Sequence, residues 1–225
     1  MPIVLMIILA LVGAMGCVQR SELIPAPEVN TPTEAPKVAT AEAAGVRVVV
    51  SPDKWQDQPQ RLPYIQDLHV TVENQSGVPL RLRYSEFELV STTGFAASPL
   101  PPYQIEQTAV DPIPHPAFYA HRFRVAPHYV QHFPTLGPWP SRFDFDEGFY
   151  RHQYSLWEPQ LPTREMLEQA IPEGVIDDGG KVSGFLYFQE LNPDMARVTF
   201  TIELINANTE ENFGVVRIPF ILSEV

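Results

Sequence analysis

Leu68-His69-Val70-Thr71-Val72-Glu73-Asn74-Gln75-Ser76-Gly77 decides how the rest of this chain is read. Leu68, Val70 and Val72 alternate with His69, Thr71 and Glu73, the period of two that marks a strand with one face buried and one solvated. Asn74 to Gly77 then supplies side chains and a glycine suited to a reversal, so a second strand should follow immediately. It does, as Leu80-Arg81-Leu82-Arg83, and Phe87-Glu88-Leu89-Val90 precedes another turn at Thr92-Thr93-Gly94. Upstream, Val46-Arg47-Val48-Val49-Val50 is rich in β-branched residues.

Near the C-terminus, Gly184 to Phe188, Val198 to Ile205 and Phe213 to Ile221 give three more strands separated by polar turns. Asp177-Asp178-Gly179-Gly180 reads as the tight turn before the Gly184 strand. Seven short strands predict a mainly β, antiparallel sandwich of the immunoglobulin-like kind. One short helix is expected from Thr163, a capping hydroxyl, to the Pro172 and Gly174 stop, with Met166, Leu167, Ala170 and Ile171 on one face.

Between Pro99 and Pro162 the alternation fails. Prolines crowd this stretch, and more than half of the aromatic residues lie between Tyr103 and Trp157. Disordered segments are poor in aromatics, so an ordered insertion at about 100–162 is expected. Its rings either give the insertion a small core of its own or form an exposed platform, for which Tyr119, Phe133, Trp139 and Trp157 are the candidate contacts for a glycan, peptide or partner protein. His115, His121, His128, His132 and His152 also fall here. Surface or interface positions are expected for them. His128 and His132, four apart after Pro127, are weak metal-ligand candidates because no third ligand stands at a characteristic spacing.

The first residues carry a different message. An apolar run from Ile3 to Leu11 is too short to span a bilayer but fits the hydrophobic part of an export signal. It ends at Ala14-Met15-Gly16-Cys17, which contains the one cysteine in the chain and resembles the lipobox of bacterial lipoproteins. The resemblance implies that residues 1–16 are removed and that Cys17 is acylated; Val18 in place of Asp favours an outer membrane where the host has one. Residues 17–45, with Pro25, Pro27, Pro32 and Pro36, read as a disordered tether. Residues 46–225 then make one domain.

A formal net charge of −12 argues against nucleic acid as a partner and against electrostatic binding to anionic lipid. The nucleophile elbow, the zinc-protease helix, the phosphate-binding glycine loop and the Cys-x-x-Cys pair do not occur in the sequence. Asp144-Phe145-Asp146-Glu147-Gly148 lacks the further ligands of a calcium loop and reads as a solvated acidic turn.

The segments Val70 to Gly77, Phe87 to Val90 and Val182 to Phe188 are similar to those of bacterial lipoproteins carrying a domain of the DUF4352 type. That resemblance implies an immunoglobulin-like sandwich outside the cytoplasm and brings no catalytic residue. The expectation is therefore a lipid-anchored envelope protein that binds or assembles with an envelope protein or glycan, without a cofactor. A hydrolase or metal-binding protein using the histidines and acidic groups of the insertion is the alternative.

Overall fold

The computed structural model describes residues 21–35, 37–52, 65–103, 112–156, 163–192 and 195–224. The chain is mainly β, with every strand pair antiparallel. Val46–Ser51 (β3) and Ile65–Asn74 (β4) form where the alternation placed them. So do Leu80–Leu82 (β5) and Phe87–Ser91 (β6), the latter followed by a two-residue strand, Ala96–Ala97 (β7). Gly174–Gln189 (β9), Arg197–Asn206 (β10) and Asn212–Glu224 (β11) complete the set read from the C-terminal half.

Two layers share these strands. One runs from Ala39–Ala43 (β2) through β3 and β4 to β9, whose other edge carries Tyr119–Val125 (β8). The other runs from Ser21–Pro25 (β1) through β11 and β10 to β6 and β7. Strand β5 joins them, since Leu80 and Arg81 pair with β9 on one side and with the end of β10 on the other. The layers fold over one another about that corner. Phe188 of β9 lies 6.4 Å from Phe200 of β10, ring centre to ring centre. Val48, Val70, Val182 and Leu186 are buried in the same cluster as Leu89, Ile202, Ile218 and Phe220. Each such side chain contributes about 1.5–3 kcal/mol through removal from water.

The tether reading of residues 17–45 is corrected for its described part. Residues 21–25 pair along β11 and residues 39–43 along β3. Leu23 and Ala39 are fully buried, and Thr40 N donates to Asn30 O at 3.1 Å across the intervening crossover. A strand added to an existing edge gains its hydrogen bonds from a preformed ladder, so it needs few large apolar residues of its own. Pro25 sits at the end of an edge strand, where a missing N–H is tolerated.

Three further expectations change. Asp177 to Gly180 continues β9 instead of turning the chain; Gly179, at φ 73°, absorbs an irregularity opposite the bulge in β8 between His121 and Phe123. A second helix, Glu147–Ser155 (α1), precedes the expected one, Arg164–Gln169 (α2). The acidic turn is its cap, with Phe149 N donating to Asp146 Oδ1 at 3.0 Å. Finally, among the described residues the rings of the insertion form no separate core: Tyr103, Phe118, Tyr129, Phe133 and Tyr150 belong to the main cluster. No helix among the described residues is long and apolar enough to cross a membrane.

Candidate functional site

His128 follows β8 in a single 3-10 turn, Pro127–Tyr129, that the proline initiates. Its Nε2 lies 3.0 Å from Glu173 Oε2, while Tyr84 N donates to Glu173 Oε1 at 3.0 Å. Both partners are withdrawn from solvent, with side chains 13% and 2% exposed. Phe145 and Phe143 lean on the imidazole from the segment before α1, at 5.2 and 5.8 Å, and Tyr129 closes the other side at 4.6 Å.

His132 takes different company. It is buried, its ring 5.5 Å from that of Tyr103, and its backbone carbonyl accepts from Ile113 N at 2.7 Å. Burial, with His128 adding to it, holds the His132 imidazole below its usual range. Among the described residues, no three His, Cys, Asp or Glu side chains are grouped as metal ligands. The surface placement expected for His128 and His132 is corrected, because the turn after β8 drives both rings inward.

Around the pair, buried tyrosines cross-link backbone segments. Tyr84 Oη donates to Ile171 O at 2.6 Å and Tyr103 Oη to Leu167 O at 2.6 Å. Tyr129 and Tyr150 share a hydroxyl hydrogen bond. Burial raises all four phenols well above the usual tyrosine range. Arg81 Nε donates to Glu86 Oε1 at 2.6 Å, yet burial pushes the Glu86 carboxyl up to about 7 against that pull. Arg83 lies over the Phe143 ring at 4.9 Å, and its Nε and Nη2 have no hydrogen-bond partner among the described residues.

A carboxylate behind an imidazole is the arrangement that orients a general base. Here the crevice beside Glu173, walled by Leu82, Tyr84, Phe87, Ile171 and Leu186, is too narrow for a water molecule. The pair joins the turn after β8 to the residue that precedes β9.

The proposed aromatic platform is likewise corrected. Phe133 is fully buried against Phe118 and Tyr103, at 5.5 and 5.1 Å, and Trp139 is packed on Val175 and Ala207. Tyr119 remains on the surface, 55% exposed. Cys17 and Trp157 lie outside the described residues.

An open concavity lies at the corner where the two layers meet. A groove of about 680 Å³ is lined by Ala44, Ser76, Val78, Asn206, Thr209, Glu211, Asn212 and Phe213. Three connections build it: the β2–β3 turn, the β4–β5 loop and the β10–β11 turn. They are bonded to one another, Gln75 N donating to Gly45 O at 2.8 Å and Ala207 N to Pro79 O at 2.9 Å. Asn74 is the organiser. Its Nδ2 donates to Val78 O at 2.8 Å and Ile176 O at 2.9 Å, while Ser76 Oγ donates to its Oδ1 at 2.7 Å. Ala44 and Glu210 both hold left-handed backbone, at φ 49° and 61°, the uncommon region for non-glycine residues that tight turns require.

The groove therefore offers amides, hydroxyls, one carboxylate and one half-buried ring on a braced frame. Such a surface suits a ligand held by many neutral hydrogen bonds. Sequence reasoning located the turn after Asn74 and the polar turn before Phe213 but gave them no role, and it read residues 44–45 as part of the tether; the polar run Asn206 to Asn212 beside the Asn74 turn was the available signal. Comparisons of the chain with protein-family models, with curated proteins and with solved structures find no match.

Proposed function

We propose that this chain is an exported, lipid-anchored binding module of the bacterial envelope, and that its sandwich receives a glycan or an extended segment of an envelope protein in the groove between the layers. The groove carries this reading, because three mutually bonded loops hold polar side chains around an open volume of about 680 Å³. The apolar run ending at Cys17 supports the address, and the segments similar to the DUF4352 type support an extracytoplasmic sandwich. The net charge of −12 supports a partner other than nucleic acid.

Photo-crosslinking in intact envelopes tests it, with a photoreactive amino acid at Thr209 compared with one at Tyr119. A discrete adduct from Thr209 that Asn206→Ala with Asn212→Ala abolishes supports the groove; adducts from Tyr119 alone move the binding surface to the insertion. The address is tested separately. Cys17→Ala should change both the mature mass and the membrane fraction, because the acyl groups are not added and residues 1–16 are not removed; an unchanged mass and membrane fraction would overturn the address.

The paired His128 and Glu173 favour a second reading, an envelope hydrolase or metal-binding protein. Calorimetric titration with zinc separates the two. A stoichiometric site lost in His128→Ala would replace the binding-module reading, and the absence of heat would remove the metal arm of the alternative.

A further inference from the structure

We infer that the sandwich stands end-on at the bilayer surface, with the groove directed away from lipid; this rests on acylation of Cys17, the anchor proposed above. Strand β1 begins at Ser21, and only residues 18–20 separate it from Cys17. Chain geometry limits that separation to about 14 Å even when fully extended. The acylated residue sits at the level of the lipid headgroups, so the start of β1 cannot lie farther from them than this.

Strand β1 is not free to pay out more chain. All five of its residues are in register with β11, Leu23 is buried in the core, Ala26 N donates to Pro219 O at 3.0 Å, and Glu22 is ion-paired with Lys37. What read as a long tether is thus mostly domain, and the slack between lipid and fold shrinks to three residues.

Register then decides which end faces the membrane. Ser21 pairs with Glu224, beyond the point where Arg197, the first residue of β10, pairs with Ile221. Leu222 N donates to Ala196 O at 3.2 Å and Thr92 N to Arg197 O at 3.3 Å. The anchored pole therefore carries the Thr92 turn and the connection from β9 to β10. The groove is at the other end of β10, past Asn206. Ten residues of strand place it about 30 Å away.

A reach of about 14 Å against a separation of about 30 Å excludes the inverted pose, in which the groove faces lipid and the start of β1 stands about 30 Å above the headgroups. A net charge of −12 further opposes laying the domain flat on an anionic surface. The groove's ligand is accordingly met outside the lipid plane, and the surface at Ala196 and Thr92 is the one that abuts headgroups.

The test uses the full-length acylated protein in vesicles of phosphatidylethanolamine and phosphatidylglycerol, with an environment-sensitive fluorophore on Ala196→Cys or on Asn208→Cys, both exposed positions. With a headgroup-attached quencher in the vesicles, the label at 196 should lose most of its emission and the label at 208 almost none. Inserting a flexible Gly-Ser spacer, as long as residues 17–45, between Arg20 and Ser21 should abolish the loss at 196. Equal quenching at both positions, stronger quenching at 208, or a spacer without effect would overturn the inference while the anchor stands. A mature mass without acyl groups, or protein that floats free of vesicles, would overturn the anchor and the inference with it.

Discussion

Gly184 has no room for a side chain. A Cβ there would lie 2.7 Å from Gln169 O, 2.8 Å from Phe118 Cβ and 3.1 Å from Ile171 Cγ1, and the first of these is backbone that cannot rotate away. Gly184→Ala should destabilise the fold by about 1–3 kcal/mol, measured by denaturant unfolding. Asn74→Ala should cost a comparable amount, roughly 1–3 kcal/mol, because it removes the amide donor to the buried Ile176 carbonyl and one of the two side-chain donors to Val78 O. The same substitution should raise hydrogen exchange in the groove loops. His132 sets a pH dependence. Its imidazole is held below the ordinary 6.5 in the folded state, so on acidification the unfolded chain takes up the proton first. Stability contributed by neutral His132 is complete above 6.5 and is lost as pH falls below it. Unfolding free energies at about pH 7.5 and about pH 5.5 should differ less in His132→Asn than in the parent protein. The turn at Asn74 was legible because its chemistry is local to four residues. The fate of His128 was not, since its partner Glu173 stands 45 residues away and no spacing rule connects them.

Strands whose apolar residues alternate were legible as elements. Strands β3, β4, β6, β10 and β11 appear where period two and β-branched content placed them. Strands β1, β2 and β8 were not, and for one reason. Each is stabilised by pairing with a neighbouring strand more than by its own apolar face: β1 on β11, β2 on β3 and β8 on β9, where β8 buries Phe123 and Val125 yet leaves Tyr119, His121 and Arg124 exposed. Helix α1 was hidden by a mixed face, Tyr150 and Gln153 inward, and by a cap easily read as an acidic turn. Such edge elements protect what they cover. The outer edge of β9 is closed in succession by β8, by Ile171 N donating to Phe185 O at 3.0 Å, and by Leu100 N donating to Tyr187 O at 2.7 Å. Among the described residues, the outer edge of β11 is paired by β1 and by Ala26 N donating to Pro219 O. A chain beginning at Pro27 loses the buried Leu23 and should be less stable by about 2–5 kcal/mol. It should also self-associate through the bared β11 edge, visible as a concentration-dependent sedimentation coefficient that the longer chain does not show.

For the molecule as a whole, the excess of acidic side chains keeps copies apart. Near pH 4.8, the sequence isoelectric point, that repulsion disappears. Light scattering should rise there and fall again on returning to neutral pH, and the His132 effect adds to it by loosening the fold over the same acid range. The fold class was legible at this scale because seven alternating segments cannot be buried except face to face. The groove was not, because it belongs to no segment: it exists only where β5 bends one layer over the other and brings together three turns from residues 44–45, 75–79 and 207–211. The pairing of residues 21–25 with 220–224 has one more consequence, in time rather than space. The first described strand waits for the last one, so the sheet cannot close while the chain is still being synthesised. Closure over nearly the full contour length carries a large loop entropy, which makes it slow and late. Until the C-terminus arrives, β10 and β11 have no finished edge, and a chaperone that shields them in that interval would set the yield of the folded protein.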